Sequence, residues 1–191
     1  MLGKLADVLT DPKKRDLACA AGGMGLLLAG GKLSALALFA KGFAGLERHW
    51  RAAHPEFEGD FAARWRRATG FYEATHQDPV NRALHVAGIP LIVAGAAGLL
   101  AWPRYTPPWA ASWAAFAGGW TLNFIGHGVF ERNAPAFADD PLSFVAGPAW
   151  DLTQLGRLLG GAPGAEAEPA AAPTASPAPV AAPPQAALTS A

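Results

Sequence analysis

Two apolar runs, ALHVAGIPLIVAGAAGLLAW at residues 83–102 and WAASWAAFAGGWTLNFIGHGVF at residues 109–130, decide how this chain folds. Each has the roughly 20 residues a helix needs to cross a hydrocarbon core about 30 Å thick. Between them lies Pro103-Arg104-Tyr105-Thr106-Pro107-Pro108, which no helix continues through, because proline lacks the amide hydrogen and clashes with the preceding turn. A connection this short makes the two helices antiparallel. Trp102, Tyr105, Trp109 and Trp113 gather around it as an interfacial aromatic belt would.

The rest of the composition agrees with a membrane setting. Of 191 residues, 51% are hydrophobic and 22 more are glycine, while only 16% are charged. Ordinary soluble domains are about 25% charged. Fifteen Lys and Arg balance fifteen Asp and Glu, so no basic excess points to nucleic acid. Cys19 is the single cysteine and excludes both an internal disulfide and a cysteine metal cluster. The expectation is an all-α, integral membrane helical protein.

Four segments follow from the pattern. Residues 1–46 read as a short N-terminal apolar hairpin: two arms near 15 residues each, broken at Gly30-Gly31-Lys32, either re-entrant or spanning. Residues 47–69 form a basic linker, in which Arg64, Arg66 and Arg67 with Trp50 and Trp65 suit an amphipathic helix on an anionic membrane surface or a solvated helix face. Residues 70–160 hold the two-helix transmembrane hairpin and its flanking helices. Residues 161–191 are rich in Ala and Pro, without periodicity, and read as a disordered tail. The basic residues Lys13 to Arg15, Arg48 to Arg67, Arg82 and Arg132 share one side, with only Lys32 and Arg104 at the opposite turns. The positive-inside rule then places both termini in the cytoplasm.

The polar residues that interrupt the second hairpin carry the chemistry. His85 lies 20 residues before Tyr105 and His127 lies 22 after it. At 1.5 Å per residue both stand about 30 Å from the turn, so they meet at one height. Asn81 and His85 share a helix face by i, i+4 spacing, as do Asn123, His127 and Glu131. Asp78-Pro79 is a helix start, with Asp as cap and Pro at the first helical position. His76 lies just before that start, on a segment able to fold over the mouth. Ionisable groups inside membrane segments are costly and signal function. Three imidazoles and a carboxylate suit Fe(II), but equally Zn or Mn. Glu131 reads as a ligand, as a partner orienting His127, or as an interfacial charge beside Arg132 or Arg82. His49 and His54 sit in the linker with no partner at useful spacing.

Two stretches carry a resemblance. FYEATHQDPVNRALHVAGIP at residues 71–90 resembles the first signature of the 2-hydroxy fatty acid dioxygenase family, and WTLNFIGHGVFER at residues 120–132, followed by Ala134-Pro135-Ala136, resembles its second. The similarity spans about residues 70–159. It implies an Fe(II)-dependent membrane oxidoreductase that takes a 2-hydroxy fatty acid and O2 and shortens the chain by one carbon through α-oxidation. It implies His76, His85 and His127 as iron ligands and catalytic residues. Eukaryotic members carry a second His where this chain has Gln77, so Glu131, Asn81, Gln77 or water is left to complete the shell. Arg82 or Arg132 would hold the substrate carboxylate, with Asn81 and Asn123 beside it. The compact hairpin form suggests a bacterial inner membrane, with lipid as a neighbour, and a homo-oligomer is allowed. The competing readings are a b-type haem held by two histidines and a non-enzymatic membrane protein.

Overall fold

Residues 10–160 are described by the computed structural model, and all regular elements among them are helical. The Ala/Pro-rich segment expected to be disordered lies outside the described residues. Helix α1 spans Pro12–Leu28. Asp11 caps it, accepting from the amides of Lys13 at 2.9 Å and Lys14 at 3.2 Å, with Pro12 at the first helical position. After a tight turn, α2 spans Leu33–Ala53. It therefore runs well past residue 46, and the second arm is longer than the 15 residues expected. α1 and α2 pack antiparallel. Gly42 allows the close approach, since a Cβ there would collide with the Ala20 amide nitrogen and the Asp16 carbonyl oxygen.

Helix α3 spans Phe61–Ala74, with Asp60 accepting from the Ala63 amide at 2.8 Å. Helices α4 (Pro79–Ala101) and α5 (Pro107–Ile125) form the expected antiparallel pair around the proline-rich turn. The i→i+4 ladder of α5 then gives way to a π-helical segment, Gly126–Glu131. A 3₁₀ turn, Ala136–Ala138, leads to α6, Ser143–Gly160, which packs on α3. The main apolar core joins Leu27 and Ala35 of the first hairpin to Ile89, Ile92, Leu99 and Phe116 of the second.

Both hairpin turns lie at one end of the bundle. The Lys32 ammonium donates to the Ala101 carbonyl at 3.3 Å, and the Arg104 side chain lies against Gly30. Among the described residues one helix, α4, is long and apolar enough to cross a membrane, with mean hydropathy 2.0. The α5 run, expected to be a second span, does not reach that level.

Two readings of the linker are corrected. Arg64 does not face a membrane surface: its side chain is fully buried. It bridges Glu47 on α2 (Nε to Oε1, 2.8 Å) and Asp140 before α6 (Nη1 to Oδ2, 2.8 Å), and its guanidinium lies over the Trp50 ring. A buried guanidinium needs such partners, because an uncompensated charge in the interior is costly. Burial works to lower the Arg64 pKa, but the two carboxylates reverse this and hold it above its usual value. His49, expected to be without a partner, pairs through Nε2 with the buried Asp16 at 3.0 Å. The antiparallel register of α1 and α2 creates that contact, which sequence spacing does not show.

Candidate metal centre

At the end of the bundle opposite the two turns, His76, His85 and His127 come together. All three are at most 4% exposed. One ring nitrogen from each lies within 4.8 Å of those of the others. The ring centroids stand 4.6 Å (76 to 85), 4.7 Å (76 to 127) and 5.0 Å (85 to 127) apart. Three different elements supply them: the α3–α4 loop, the first turns of α4, and the π segment after α5.

The hydrogen bonds fix which nitrogen each ring presents. His76 Nδ1–H donates to the Tyr72 carbonyl at 2.6 Å, and His85 Nδ1–H donates to the Asn81 carbonyl at 2.9 Å. A carbonyl oxygen can only accept, so each of these rings carries its proton on Nδ1. His127 Nδ1 meets the Asn133 side-chain oxygen at 2.8 Å. The amide orientation of Asn133 is set because its Nδ2 donates to the Thr75 carbonyl at 3.0 Å, which leaves Oδ1 as acceptor and His127 Nδ1–H as donor. All three Nε2 atoms are thereby left with lone pairs. His76 Nε2 is buried without a hydrogen-bond partner. Burial, aided by the neighbouring imidazoles, lowers the His76 pKa to about 3, and the hydrogen bond to Tyr72 only partly opposes it. A neutral imidazole with a free Nε2 is the form a metal ion binds. The donor set thus fits a divalent transition-metal ion, with each ring oriented by an acceptor on its far side.

Glu131, expected among the ligands, is not in this group. Its Oε1 accepts from the Gln77 amide at 2.9 Å, and its Oε2 accepts from the Asp78 amide at 2.9 Å and from Asn81 Nδ2 at 3.0 Å. The π segment shifts the phase of the chain after His127, so the i+4 residue no longer projects beside it. Glu131 instead clamps the loop that carries His76 to the start of α4, where negative charge is favoured. Burial pushes its pKa up, but the three donated hydrogen bonds outweigh that and hold it below the usual carboxylate range.

The remaining expected site residues divide. Asp78 caps α4, accepting from the amides of Val80 at 2.8 Å and Asn81 at 3.0 Å. Gln77 is exposed and donates to the Glu73 carbonyl at 2.7 Å, away from the centre. Asn81 is fully buried but spends its amide on Glu131. Asn123 is buried in the cavity wall, with its side-chain oxygen unpaired. Neither arginine lines the cavity. Arg82 lies over the Trp150 ring at 4.9 Å, and Arg132 is exposed at the end of the π segment in a left-handed conformation (φ 57°).

Two contributors were not legible in the sequence. The Tyr72 ring stacks on His76 at 3.8 Å, and its hydroxyl donates to Asp151 on α6 at 2.5 Å. Burial raises the Asp151 pKa to about 6, against the lowering effects of Tyr72 and Arg82. Asn133 lies just outside the quoted motif, and its only signal was proximity to His127. The imidazoles open onto a cavity of about 340 Å³ with an almost wholly apolar lining.

Fold and site together define a helical protein with a buried three-imidazole centre at one end of an apolar cavity. Residues 62–156, which include all three histidines, match the Mpo1-like family, described as 2-hydroxy-palmitic acid dioxygenase Mpo1-like, and the chain belongs to that family. No curated protein and no solved structure matches the chain.

Proposed function

We propose that this chain is a membrane-embedded, Fe(II)-dependent dioxygenase that removes one carbon from a 2-hydroxy fatty acid. The observation that carries the reading is the set of three buried imidazoles whose Nδ1 protons are all donated outward, which leaves their Nε2 lone pairs free, with one ring nitrogen of each within 4.8 Å of those of the others. His76, His85 and His127 would hold the iron. Nitrogen ligands alone equally suit Zn or Mn, and the dioxygenase named in the family description is the reason to choose iron. Bound Fe(II) would supply the capacity to activate O2. The overall conversion balances as R–CH(OH)–COOH plus O2 giving R–COOH, CO2 and water, with the hydroxyl-bearing carbon becoming the new carboxyl carbon.

The protein's own groups bind and orient. Tyr72, Asn81 and Asn133 hold the three imidazoles in the required tautomer. Glu131 fixes the loop that brings His76 over the site. Asn123 lines the cavity, and its buried side-chain oxygen, packed against Gly88 and without a hydrogen-bond partner, is the acceptor available to the substrate 2-hydroxyl. The apolar cavity takes the acyl chain and excludes water from the reacting end.

A membrane setting is supported by α4 and by the surface around it. Leu91, Val93, Trp113, Phe124 and Ile125 are all at least 40% exposed on the α4–α5 pair, an apolar belt that lipid would cover. α4 crosses the bilayer, with the metal centre at the arginine-rich, cytoplasmic side. The haem alternative is disfavoured by the grouping itself, since three mutually packed rings leave no gap for a flat macrocycle between two of them.

The test is anaerobic purification with metal analysis, followed by addition of O2 and 2-hydroxypalmitate. The expected result is colourless protein with about one iron per chain and formation of pentadecanoate, with both iron and product lost in His85→Ala and His127→Ala. Wild-type iron content in both variants, or a strong Soret band, would overturn the reading.

A further inference from the structure

The cavity is not built by the family-matching segment alone. Residues 62–156 supply its reactive end and one long wall. The opposite wall comes from the N-terminal hairpin, through Gly23, Met24 and Leu27 of α1 and Ala35, Leu36 and Phe39 of α2. Along α4 the lining runs from His85 to Leu100, fifteen residues, or about 22 Å of helix. At the far end Leu27 and Ala35 pack in the same core cluster as Leu99, with Met24, Ala96 and Leu100 against it. Beyond them the Lys32 and Arg104 turns close the bundle.

We infer that the N-terminal hairpin is the acyl-chain ruler of this protein: Met24, Leu27 and Ala35 form the floor that stops the substrate chain, and so set the length it accepts. The inference rests on the proposed reading of the metal centre as the site of 2-hydroxy fatty acid oxidation. The dimensions support it. One leaflet of a bilayer is about 15 Å of hydrocarbon, half of the roughly 30 Å core, so a cavity about 22 Å long accepts an acyl chain of membrane-lipid length and then ends. Beyond the reactive end, where the polar side chains are Tyr72, His76, His85, Asn123, His127 and Ser143, the lining is apolar apart from the Trp120 indole, whose buried Nε1–H has no partner. Leu36 on the hairpin and Val93 on α4 line the cavity and are also exposed, 46% and 41% respectively. The seam between the hairpin and α4 is therefore a lateral opening, suited to a substrate arriving from the lipid.

The floor makes a quantitative statement. Each buried methylene contributes about 0.8 kcal/mol, or about fourfold in affinity. Affinity should rise by about that factor per carbon until the chain meets Met24, Leu27 and Ala35, and then stop rising. Ala35→Leu adds three carbons to the floor and should bring the plateau about three methylenes earlier. Met24→Ala removes three heavy atoms and should delay it by a similar amount. Met24→Ala also guards against misfolding of the overpacked variant, because Met24 is only partly buried.

The experiment is binding of a 2-hydroxy fatty acid series, from 2-hydroxyoctanoate to 2-hydroxystearate, to the full chain in detergent under argon. Displacement of a fluorescent fatty acid is the readout, so no turnover is needed. Opposite shifts of the plateau in the two variants are the expected result. A length profile that rises and plateaus in the wild type but does not move in Met24→Ala overturns the ruler while leaving the proposed function standing. Absence of binding by the wild type at every length overturns the functional reading, and the ruler with it.

Discussion

Replacing Asn133 with alanine tests the proposed metal centre without touching a candidate ligand. Asn133 is an exposed residue whose side chain makes two hydrogen bonds: it accepts from His127 Nδ1–H at 2.8 Å and donates to the Thr75 carbonyl at 3.0 Å. Thr75 immediately precedes His76, so one amide orients one imidazole and tethers the segment carrying another. In Asn133→Ala the His127 ring loses the side-chain acceptor of its Nδ1–H and is free to swing or to adopt the other tautomer. Removing an orienting partner of this kind typically weakens metal affinity by about 10- to 100-fold, which is about 1.4–2.8 kcal/mol. Because the tether to Thr75 goes as well, the upper half of that range is expected. Fold stability should fall by no more than about 1 kcal/mol, since exposed hydrogen bonds exchange readily for water. Asn133→Asp keeps the acceptor for His127 and should retain affinity within about threefold of wild type. The assay is Co(II) or Fe(II) titration against a chromophoric chelator under argon, with the thermal midpoint as a control for folding. If Asn133→Ala binds the metal as tightly as wild type while remaining folded, the inferred tautomers, and with them the convergence of three Nε2 lone pairs, would be refuted.

Gly95→Ala should lower stability by about 1–3 kcal/mol, because its new Cβ would lie 2.5 Å from the Phe116 amide nitrogen and 2.8 Å from the Ser112 carbonyl oxygen, both backbone atoms of α5. Gly118→Ala, with nothing within 4 Å, should instead raise the thermal midpoint through better helix propensity, worth about 0.5–1 kcal/mol; equal effects of the two would contradict the α4–α5 register. Arg64→Ala strands the Asp140 carboxylate, whose side chain is 4% exposed, and should cost about 3–5 kcal/mol; combining it with Asp140→Leu should recover much of that loss in thermal denaturation. Asp151 binds its proton more tightly in the folded chain, with a pKa near 6 against 3.8 for the free side chain. Its contribution is therefore fully present below pH 3.8 and is lost as pH rises through about 6, costing about 3 kcal/mol on the alkaline side. Asp151→Asn should stabilise the protein above that window and lose its advantage below it, and a constant offset in thermal midpoint across pH would count against the burial argument.

Much of the centre was legible because it depends on local geometry. Two apolar helices joined by a proline turn run antiparallel, so equal distances from the turn become equal heights, and His85 and His127 meet as the counting expects. Asp78-Pro79 caps α4 for a reason contained in the dipeptide itself. Where the expectation failed, regular geometry had been assumed beyond its range. The spacing of Asn123, His127 and Glu131 supposes α-helix throughout, and the π segment turns Glu131 away to the start of α4. Arg64 carries the charge that suggests a surface, yet it is buried, because Glu47 and Asp140 arrive from distant parts of the chain.

The amino-acid pattern alone settles the helical class, the Asp78-Pro79 start of α4, the breaking turn, the antiparallel pairing of α4 and α5, and the height at which two histidines meet. Each of these follows from hydrophobic period, proline geometry and the fixed rise of a helix. Tertiary structure alone decided the rotation of each helix about its axis and the approach of segments far apart in the chain. Those settle that His76 faces inward, that Tyr72 and Asn133 hold the imidazoles, that both arginines stand outside the cavity, and that the N-terminal hairpin walls it. The reason is physical: a period fixes which residues share a face, but what that face meets is set by the packing of the whole bundle.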